Sequence, residues 1–327
     1  MKKNRLWKIL GFIVLGIVVI IAGIIGYIVY FLPNIPVKDI KVQSTAGRIE
    51  RGNYLAHHVL VCIDCHSTRD WTKFSGPVTP GTEGRGGETF DHALGFPGTF
   101  TSANITPYHL SNWTDGELYR AITSGVGKGN RPFFPVMPYL YYATLDTEDI
   151  YSVISYIRTL TPISFNPPAS SADFPLNIIL HTIPKKAVPG IRPNPADSLA
   201  YGKYLVTAGG CIECHTAADS KGRLIAGMTF AGGREFQLPW GIVRSGNITP
   251  DKQTGLGNYS ELSFINRFKA YDPAINPIAT VKKGDFNSIM PWSMYGGMTN
   301  ADLASVYLFL KSIPPIKNPV VKFTPVK

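Results

Sequence analysis

The hydrophobic positions of this 327-residue chain follow two different patterns. Residues 9–32 form an apolar run without a charged side chain. As a helix, this run would be about 36 Å long, and the hydrocarbon core of a bilayer is about 30 Å thick. The rest of the chain places short amphipathic helical patterns between long Gly/Pro-rich segments. The pattern therefore predicts one membrane-spanning helix followed by a helical globular part.

Basic residues precede the apolar run. Lys2, Lys3, Arg5 and Lys8 have no acidic residue among them, which predicts a cytoplasmic N-terminus and an exported remainder. A cleaved signal peptide is the alternative, but its apolar core spans about 7–15 residues and ends in a small-x-small cleavage site. This run is longer and leads into aromatic residues. We therefore expect an uncleaved anchor in the cytoplasmic membrane, with the globular part on its periplasmic or outer face.

The globular part contains an internal duplication. In each copy a helical segment is followed by a Gly/Pro-rich loop, a middle helix, a methionine loop and an amphipathic C-terminal helix. Thr or Ser begins each middle helix, and Asp146 or Thr147 and then Thr299 begin the C-terminal helices. The matched segments are 52–55 with 202–205, 104–107 with 247–250, 112–114 with 258–260, and 137–138 with 290–291.

Neither copy contains a clear run of alternating polar and apolar residues, which is the pattern of a strand. The fold class predicted is therefore all-α. Seven prolines between residues 164 and 195 predict an extended linker between the copies. The predicted segments are a cytoplasmic stub and anchor (1–33), a first domain (44–163), the linker (164–195) and a second domain (196–327).

Each copy carries one Cys-x-x-Cys-His motif, at residues 62–66 and 211–215. This motif is the attachment signature of c-type haem. Two thiols on one turn of helix can each form a thioether to the same porphyrin, and the adjacent histidine can bind the iron. A zinc ribbon is the alternative, but its cysteine pairs lie within about 20 residues of each other. We expect two covalently bound haem c groups, held through Cys62, Cys65, Cys211 and Cys214, with His66 and His215 as proximal ligands.

The second axial ligand of each haem is expected to be a methionine. Met137 is the only methionine of the first domain. The repeat register selects Met290 in the second domain, where Met228, Met294 and Met298 are the other candidates, and we assign Met294 and Met298 to the core. Proline follows each selected methionine and favours an extended loop. In the first domain the histidines remain competitors: they are His57, His58, His92 and His109.

The net charge of +10 is unevenly distributed. Residues 33–184 carry 11 basic and 13 acidic side chains, a net −2, and residues 185–327 carry 17 basic and 9 acidic ones, a net +8. No basic run is interleaved with aromatic residues as a nucleic-acid groove requires. The basic second half therefore predicts an acidic protein partner, with solvated surface charge that binds no partner as the alternative. Arg120 and Arg267, in equivalent middle helices, are expected on exposed faces, with a haem propionate as the alternative partner.

Both halves resemble class I cytochrome c domains. The order of Cys-x-x-Cys-His, Gly-Thr-Phe (98–100), Asn-Ile-Thr-Pro (104–107), Asn-Trp-Thr-Asp (112–115) and Met-Pro-Tyr (137–139) is similar to that in the cytochrome c subunits of membrane-bound alcohol, aldehyde and gluconate dehydrogenases. Those subunits carry three haem motifs and this chain has two. The resemblance implies covalent attachment through the four cysteines and axial ligation by His66, Met137, His215 and Met290.

Three functions follow as hypotheses. The first is a membrane-anchored carrier that transfers electrons in a respiratory chain, between a quinol- or substrate-oxidising complex and an acceptor such as cytochrome oxidase. The second is an electron-transfer subunit held permanently by a membrane-bound dehydrogenase. A dihaem peroxidase is the third, but it needs an open iron site, and His/Met ligation fills that position. We therefore expect an electron carrier rather than an enzyme.

Overall fold

The structure is a computed structural model that describes residues 2–220, 222–282 and 284–326. Its first element is α1 (Lys2–Phe31). Within it, Arg5–Phe31 is the one helix among the described residues that is long and apolar enough to cross a membrane, with a mean hydropathy of 3.0 and no buried part. A helix of this length and composition, in contact with other elements only near its C-terminal end, fits the predicted anchor.

The two repeats share a succession of five helices with matching caps, and the first repeat has one further short helix, Pro107–Leu110. Thr114 caps its helix by a reciprocal capping box with Glu117, and Ser260 caps the equivalent helix. Asp146 and Thr299 cap the C-terminal helices, as predicted. The first repeat contains α2 (Ala46–Tyr54), α3 (Cys62–Cys65), α4 (Pro107–Leu110), α5 (Asp115–Ser124), α6 (Tyr139–Tyr142) and α7 (Thr147–Ile157), and α8 (Leu176–Ile179) lies in the linker. The second repeat contains α9 (Ser198–Ala208), α10 (Cys211–Cys214), α11 (Glu261–Lys269), α12 (Trp292–Tyr295) and α13 (Asn300–Ser312).

The all-α prediction is wrong, because each repeat also carries a small antiparallel sheet. The first sheet joins β1 (Thr89–Phe90), β2 (Gly98–Thr101) and β3 (Ser171–Ala172), and the second joins β4 (Glu235–Leu238), β5 (Gly241–Arg244) and β6 (Phe323–Pro325). These strands have two to four residues each, which is too short to show an alternating pattern. In both sheets the third strand comes from beyond the C-terminal helix of the repeat. Its pairing with the second strand therefore has no local signal in the sequence.

The first and last helices of each repeat cross at a glycine. A Cβ atom on Gly52 of α2 would lie 1.9 Å from the carbonyl oxygen of Ser152 in α7. A Cβ atom on Gly202 of α9 would lie at the same 1.9 Å from the carbonyl oxygen of Ser305 in α13. Only glycine permits so close an approach of the two backbones. The glycine before each haem motif therefore sets the helix crossing that positions it.

The two repeats share one hydrophobic core, which includes Leu55 and Ile154 from the first and Leu205 and Leu303 from the second. Much of the linker also packs against the first repeat. The backbone N–H groups of Val188 and Gly190 donate to the carbonyl oxygens of Ala143 and Thr144, at 3.1 and 3.0 Å. The second repeat therefore packs directly against the first, and the linker between them is bonded to the first repeat.

Candidate haem-binding sites

The first helix of each repeat leads into its haem motif through a residue in the left-handed conformation. This residue is Val61 (φ 48°) in the first repeat and Gly210 (φ 61°) in the second. The turn redirects the chain into the single-turn helices α3 and α10, whose first and last residues are the cysteines. Residues three apart lie on the same helix face, so both thiols of a pair can meet one porphyrin edge. The four cysteines form no disulfide and retain some exposure.

Both motif histidines are oriented by a backbone carbonyl. His66 Nδ1 donates to the carbonyl oxygen of Ala103 at 2.7 Å, and His215 Nδ1 donates to that of Gly246 at 2.8 Å. This bond fixes the tautomer and leaves Nε2 as the nitrogen that can bind iron. Burial lowers the pKa of both imidazoles, which favours the neutral form that a metal requires. The arrangement fits the proximal ligand of a haem.

The Asn-Ile-Thr-Pro motif holds these carbonyl groups in place. Asn104 follows Ala103, and its Oδ1 accepts from the backbone N–H and the hydroxyl of Thr106, at 2.9 and 2.7 Å. Its Nδ2 donates to the carbonyl oxygen of Ile163 at 2.8 Å, so it ties this turn to the chain beyond α7. Asn247 and Thr249 repeat the same bonds at 2.9 and 2.7 Å in the second copy. The motif therefore supports the histidine that lies about 40 residues earlier in the first copy.

A glycine closes the loop over each histidine. Gly86 N–H donates to the carbonyl oxygen of His66 at 2.8 Å, and Gly232 N–H donates to that of His215 at 2.7 Å. Both glycines have positive φ angles, 74° and 75°. A Cβ on Gly86 would approach Ala103 O to 2.5 Å, the same oxygen that orients His66. The Gly-rich segment at residues 81–87 thus closes over the motif histidine of the first repeat.

The two Met-Pro loops have the same local structure. The carbonyl oxygen of Met137 accepts from Tyr139 N–H at 2.8 Å, and that of Met290 accepts from Trp292 N–H at 2.7 Å. A four-residue helix follows each loop, α6 in the first repeat and α12 in the second. Both methionines are half-buried. Met294 and Met298 are only 7% and 5% exposed and lie in the core, as predicted.

A tyrosine brings each Met-Pro loop to the haem motif of its own repeat. Tyr142 ends α6, and its hydroxyl donates to the carbonyl oxygen of Leu60 at 2.9 Å, two residues before Cys62. Tyr295 ends α12, and its hydroxyl donates to the carbonyl oxygen of Gly209 at 3.0 Å, two residues before Cys211. The proposed methionine ligand and the proposed cysteines therefore belong to one site in each repeat.

The competing histidines of the first repeat are engaged elsewhere. His57 Nε2 lies 2.8 Å from the Tyr156 hydroxyl, and His58 Nδ1 donates to the carbonyl oxygen of Met294 at 2.8 Å. His92 pairs with Asp173 at 2.7 Å on the surface, and His109 is exposed. Met137 therefore remains the candidate for the second axial ligand in the first repeat.

Sequence reasoning missed the part that the first repeat plays in the second site. Ser75, at a φ of 65°, is 1% exposed. Its hydroxyl donates to the carbonyl oxygen of Met290, and it also accepts from Trp292 N–H at 3.0 Å. Asn287 Oδ1 accepts from the N–H of the same serine at 2.8 Å. Because these partners are more than 200 residues apart, no pattern along the chain indicates the contact.

The expectation of an exposed Arg120 is wrong. This arginine is 6% exposed and donates to the carbonyl oxygens of Ile35 and Gly127, at 3.0 and 2.8 Å. Arg267 lies over the rings of Tyr271 and Trp292. Arg120 is thus buried and binds the segment that follows α1.

A zinc site does not form around the cysteine pairs. Within residues 2–220, 222–282 and 284–326, no three His, Cys, Asp or Glu side chains are grouped to hold a metal ion. A structural zinc site needs four such ligands together. One histidine, one methionine and a pair of thiols in each repeat are instead the donor set of a c-type haem.

No known family model matches the chain. It is 32% identical over 289 residues to the gluconate 2-dehydrogenase cytochrome c subunit of Pantoea cypripedii, covering 83% of this chain and 60% of that protein. It is 27% identical over 303 residues to the fructose dehydrogenase cytochrome subunit of Gluconobacter japonicus, covering 85% of this chain and 55% of that one. A dihaem c-type cytochrome of Cereibacter sphaeroides is 26% identical over 266 residues, covering 78% and 83%.

The resemblance found in the sequence is thereby confirmed, because c-type cytochromes are among the relatives of this chain. In particular, they are cytochrome c subunits of membrane-bound dehydrogenases and a dihaem cytochrome c, at 26–32% identity. The chain spans 55–60% of the length of the fructose, alcohol and gluconate dehydrogenase cytochrome subunits that it matches.

Proposed function

We propose that this chain is a membrane-anchored dihaem c-type cytochrome that transfers electrons between redox proteins. The observation that carries the proposal is the repeated site: a carbonyl-oriented histidine, two thiols on one helical turn and a Met-Pro loop docked beside them. Haem c bound there would supply an iron that takes up and releases one electron. The proposed attachment residues are Cys62, Cys65, Cys211 and Cys214, and the proposed axial ligands are His66, Met137, His215 and Met290.

The protein side of each site is suited to a carrier. The imidazole is held by its Nδ1 bond, and the Met-Pro loop is held by a tyrosine from the adjoining helix. A held imidazole and a held loop limit the rearrangement that would accompany a change of oxidation state. Because a histidine and a methionine would fill both axial positions, peroxide or oxygen would find no open position. This argues for a non-catalytic role and against a peroxidase.

The proposed location is the cytoplasmic membrane, with both haem sites on the periplasmic or outer face. Four basic residues precede the apolar core of α1, as the positive-inside rule requires of a cytoplasmic end. Beyond α1, Arg120 binds the carbonyl oxygen of Ile35 at 3.0 Å, and the backbone N–H of Val42 donates to Asp115 at 2.9 Å. The first repeat would thus lie next to the membrane. We propose residues 44–163 and 196–327 as the two haem domains.

The proposed partners are redox proteins. In a respiratory chain the cytochrome would accept electrons from a quinol- or substrate-oxidising complex and pass them to an acceptor such as cytochrome oxidase. Permanent membership in a membrane-bound dehydrogenase is the second candidate, and the names of the fructose, alcohol and gluconate dehydrogenase subunits among the relatives favour it. Extraction in mild detergent separates the two, since a permanent subunit leaves the membrane with its companions.

The decisive test of the carrier itself is the spectrum of the purified, full-length protein. We expect two covalent haems per chain and a low-spin oxidised spectrum without peroxide turnover. One haem per chain would contradict the repeated site. A high-spin component accompanied by peroxide consumption would show that one axial position is open and would replace the carrier by an enzyme.

A further inference from the structure

The linker contains a segment that lies against the end of α1. We call residues 174–186 the contact segment. Its helix α8 and the turn Leu180–Thr182 both pack on α1. His181 Nδ1 donates to the carbonyl oxygen of Leu32 at 2.8 Å, just beyond the last residue of the helix. The contact segment therefore lies at the level along the helix axis where α1 ends.

Apolar side chains of the contact segment point away from the protein. Phe174 is 79% exposed and Ile179 is 47% exposed, whereas Leu180 beside them is 7% exposed and packs inward. The last residues of α1, Tyr30 and Phe31, are exposed at the same end of the helix. Exposed apolar area is unfavourable in water by about 25 cal/mol per Å². These side chains together form an apolar edge where a bilayer containing α1 would have its surface.

The charges of the contact segment fit the polar layer of a bilayer. Lys185 and Lys186 follow its apolar part and are exposed. Asp173, the residue just before the contact segment, has its carboxylate paired with His92 at 2.7 Å. Exposed lysines beside an apolar edge are typical of segments that lie in the membrane interface, where ammonium groups meet lipid phosphates.

The contact segment is fixed to the first repeat on both sides. Before it, β3 pairs with β2, so that Thr99 is opposite Ser171. After it, Val188 and Gly190 are bonded to the loop that follows α6. Because it is bonded on both sides, the contact segment cannot move independently of the first repeat. Where the contact segment lies relative to the membrane therefore also fixes where the first repeat lies.

We propose that the contact segment lies in the interfacial layer of the bilayer that α1 spans, with Phe174 and Ile179 at the boundary of the acyl chains and Lys185 and Lys186 at the lipid phosphates. The first repeat is thereby held against the membrane in one orientation, and the second repeat is held with it through the shared core. This inference rests on the proposed anchoring by α1.

Site-directed spin labels test the proposal in the full-length holoprotein. The variants Phe174→Cys and Ile179→Cys are labelled after reconstitution into vesicles of phosphatidylcholine and phosphatidylglycerol. Collision of the label with oxygen, which concentrates in lipid, is compared with collision with a water-soluble nickel chelate. Leu262→Cys is the aqueous control, because Leu262 is as freely exposed on α11 of the second repeat, and Val18→Cys in α1 is the bilayer control.

We expect the ratio of oxygen to nickel collisions at residues 174 and 179 to be severalfold higher than at residue 262 and lower than at residue 18. Ratios at 174 and 179 equal to that at 262, with a bilayer value at 18, would overturn the interfacial docking while leaving the anchor intact. An aqueous value at 18 would overturn the anchoring and the docking with it. Neither result would touch the electron-carrier proposal, which depends on the haem spectrum.

Discussion

The hydroxyl of Tyr54 donates a 2.6 Å hydrogen bond to the carboxylate of Asp302, and so joins the first helix of one repeat to the last helix of the other. The equivalent residues make the same contact in the opposite direction, from Tyr204 to Asp149 at 2.7 Å. Burial, followed by the nearby carboxylate, raises the pKa of Tyr54 and of Tyr204 well above the usual range. Each phenol therefore stays protonated and donates. These reciprocal bonds fix the relative position of the two candidate haem sites.

Removing the hydroxyl of Tyr54 should destabilise the protein more than removing the hydroxyl of Tyr204. A hydrogen bond to a charged group contributes about 1.5–3 kcal/mol. We expect Tyr54→Phe to lower the free energy of unfolding by an amount in this range, because it removes the cross-repeat donor to Asp302. Tyr204→Phe should cost less, because Asp149 keeps Arg51 and Arg192 at 3.1 and 2.6 Å. Urea unfolding of the holoprotein measures both.

Tyr307→Phe is the matched control for this pair. Its hydroxyl bonds to the carbonyl oxygen of Tyr259 at 2.8 Å within the second repeat, at an exposed position. We expect a change of less than about 1 kcal/mol there. Equal losses for Tyr54→Phe and Tyr307→Phe would show that the reciprocal bonds do not stabilise the contact between repeats.

The glycine crossings predict opposite effects of the same substitution at two places in α2. Gly52→Ala would put its Cβ 1.9 Å from the carbonyl oxygen of Ser152, so the helices must separate. We expect a loss of about 1–3 kcal/mol or more. At Gly47 no atom lies within 4 Å of the new Cβ, and alanine is the better helix former. Gly47→Ala should therefore leave stability unchanged or raise it by up to about 1 kcal/mol, and a loss at both positions would contradict the crossing model.

Substitution of the proposed methionine ligands should alter one iron at a time. Met290→Ala is expected to leave haem attached but to convert that iron to a high-spin or misligated form with a lower potential. Met294→Leu is the control, since Met294 packs in the core and leucine nearly conserves its volume. A redox titration followed optically resolves the two irons. Unchanged potentials and an unchanged low-spin spectrum in Met290→Ala would exclude this ligand.

Ser75 is predicted to be a positioning residue for the second site, although it belongs to the first repeat. Ser75→Ala removes the hydroxyl that bonds to both Met290 and Trp292. We expect a shifted potential for the second haem and an unchanged one for the first. Ser75→Gly provides the control for backbone strain, because glycine accepts the φ of 65° and also lacks the hydroxyl.

Both Ser75 variants should shift the same potential if the hydroxyl is what matters. A loss of stability without any change of either potential would reduce Ser75 to a packing residue. Equal shifts at both haems would show that the effect is not local to the Met290 loop.

The stability of the protein should decrease as the pH falls from about 6.5 toward 4. Burial, and then the neighbouring His58, lowers the pKa of His57 from 6.5 to about 4. The unfolded chain therefore binds a proton in this interval that the folded chain does not, and protonation favours unfolding. His57→Gln, which can still bond to Tyr156 but cannot titrate, should flatten the slope of the unfolding free energy against pH. An identical slope in the variant would contradict the shift.

Much of the site could be predicted from the sequence because its signals are local. The spacing of Cys62, Cys65 and His66 reflects a single turn of helix, and the proline after Met137 acts on the residue next to it. The internal duplication then carried each inference from one copy to the other, and it picked out Met290 among the four methionines of the second half. Helix caps such as Thr114 were also found, since a cap and its partner are three residues apart.

Contacts between residues far apart in the chain could be learned only from the tertiary structure. In each sheet that overturned the all-α prediction, the third strand comes from beyond the C-terminal helix, as β3 does when it pairs with β2. Ser75 reaches Met290, and Tyr54 reaches Asp302, only because the two repeats pack face to face. Arg120 was expected at the surface because its own helix cannot show that residues 33–42 cover it. Local spacing thus determined the donor groups of each candidate haem site, whereas the packing of distant segments determined how the two sites are held together.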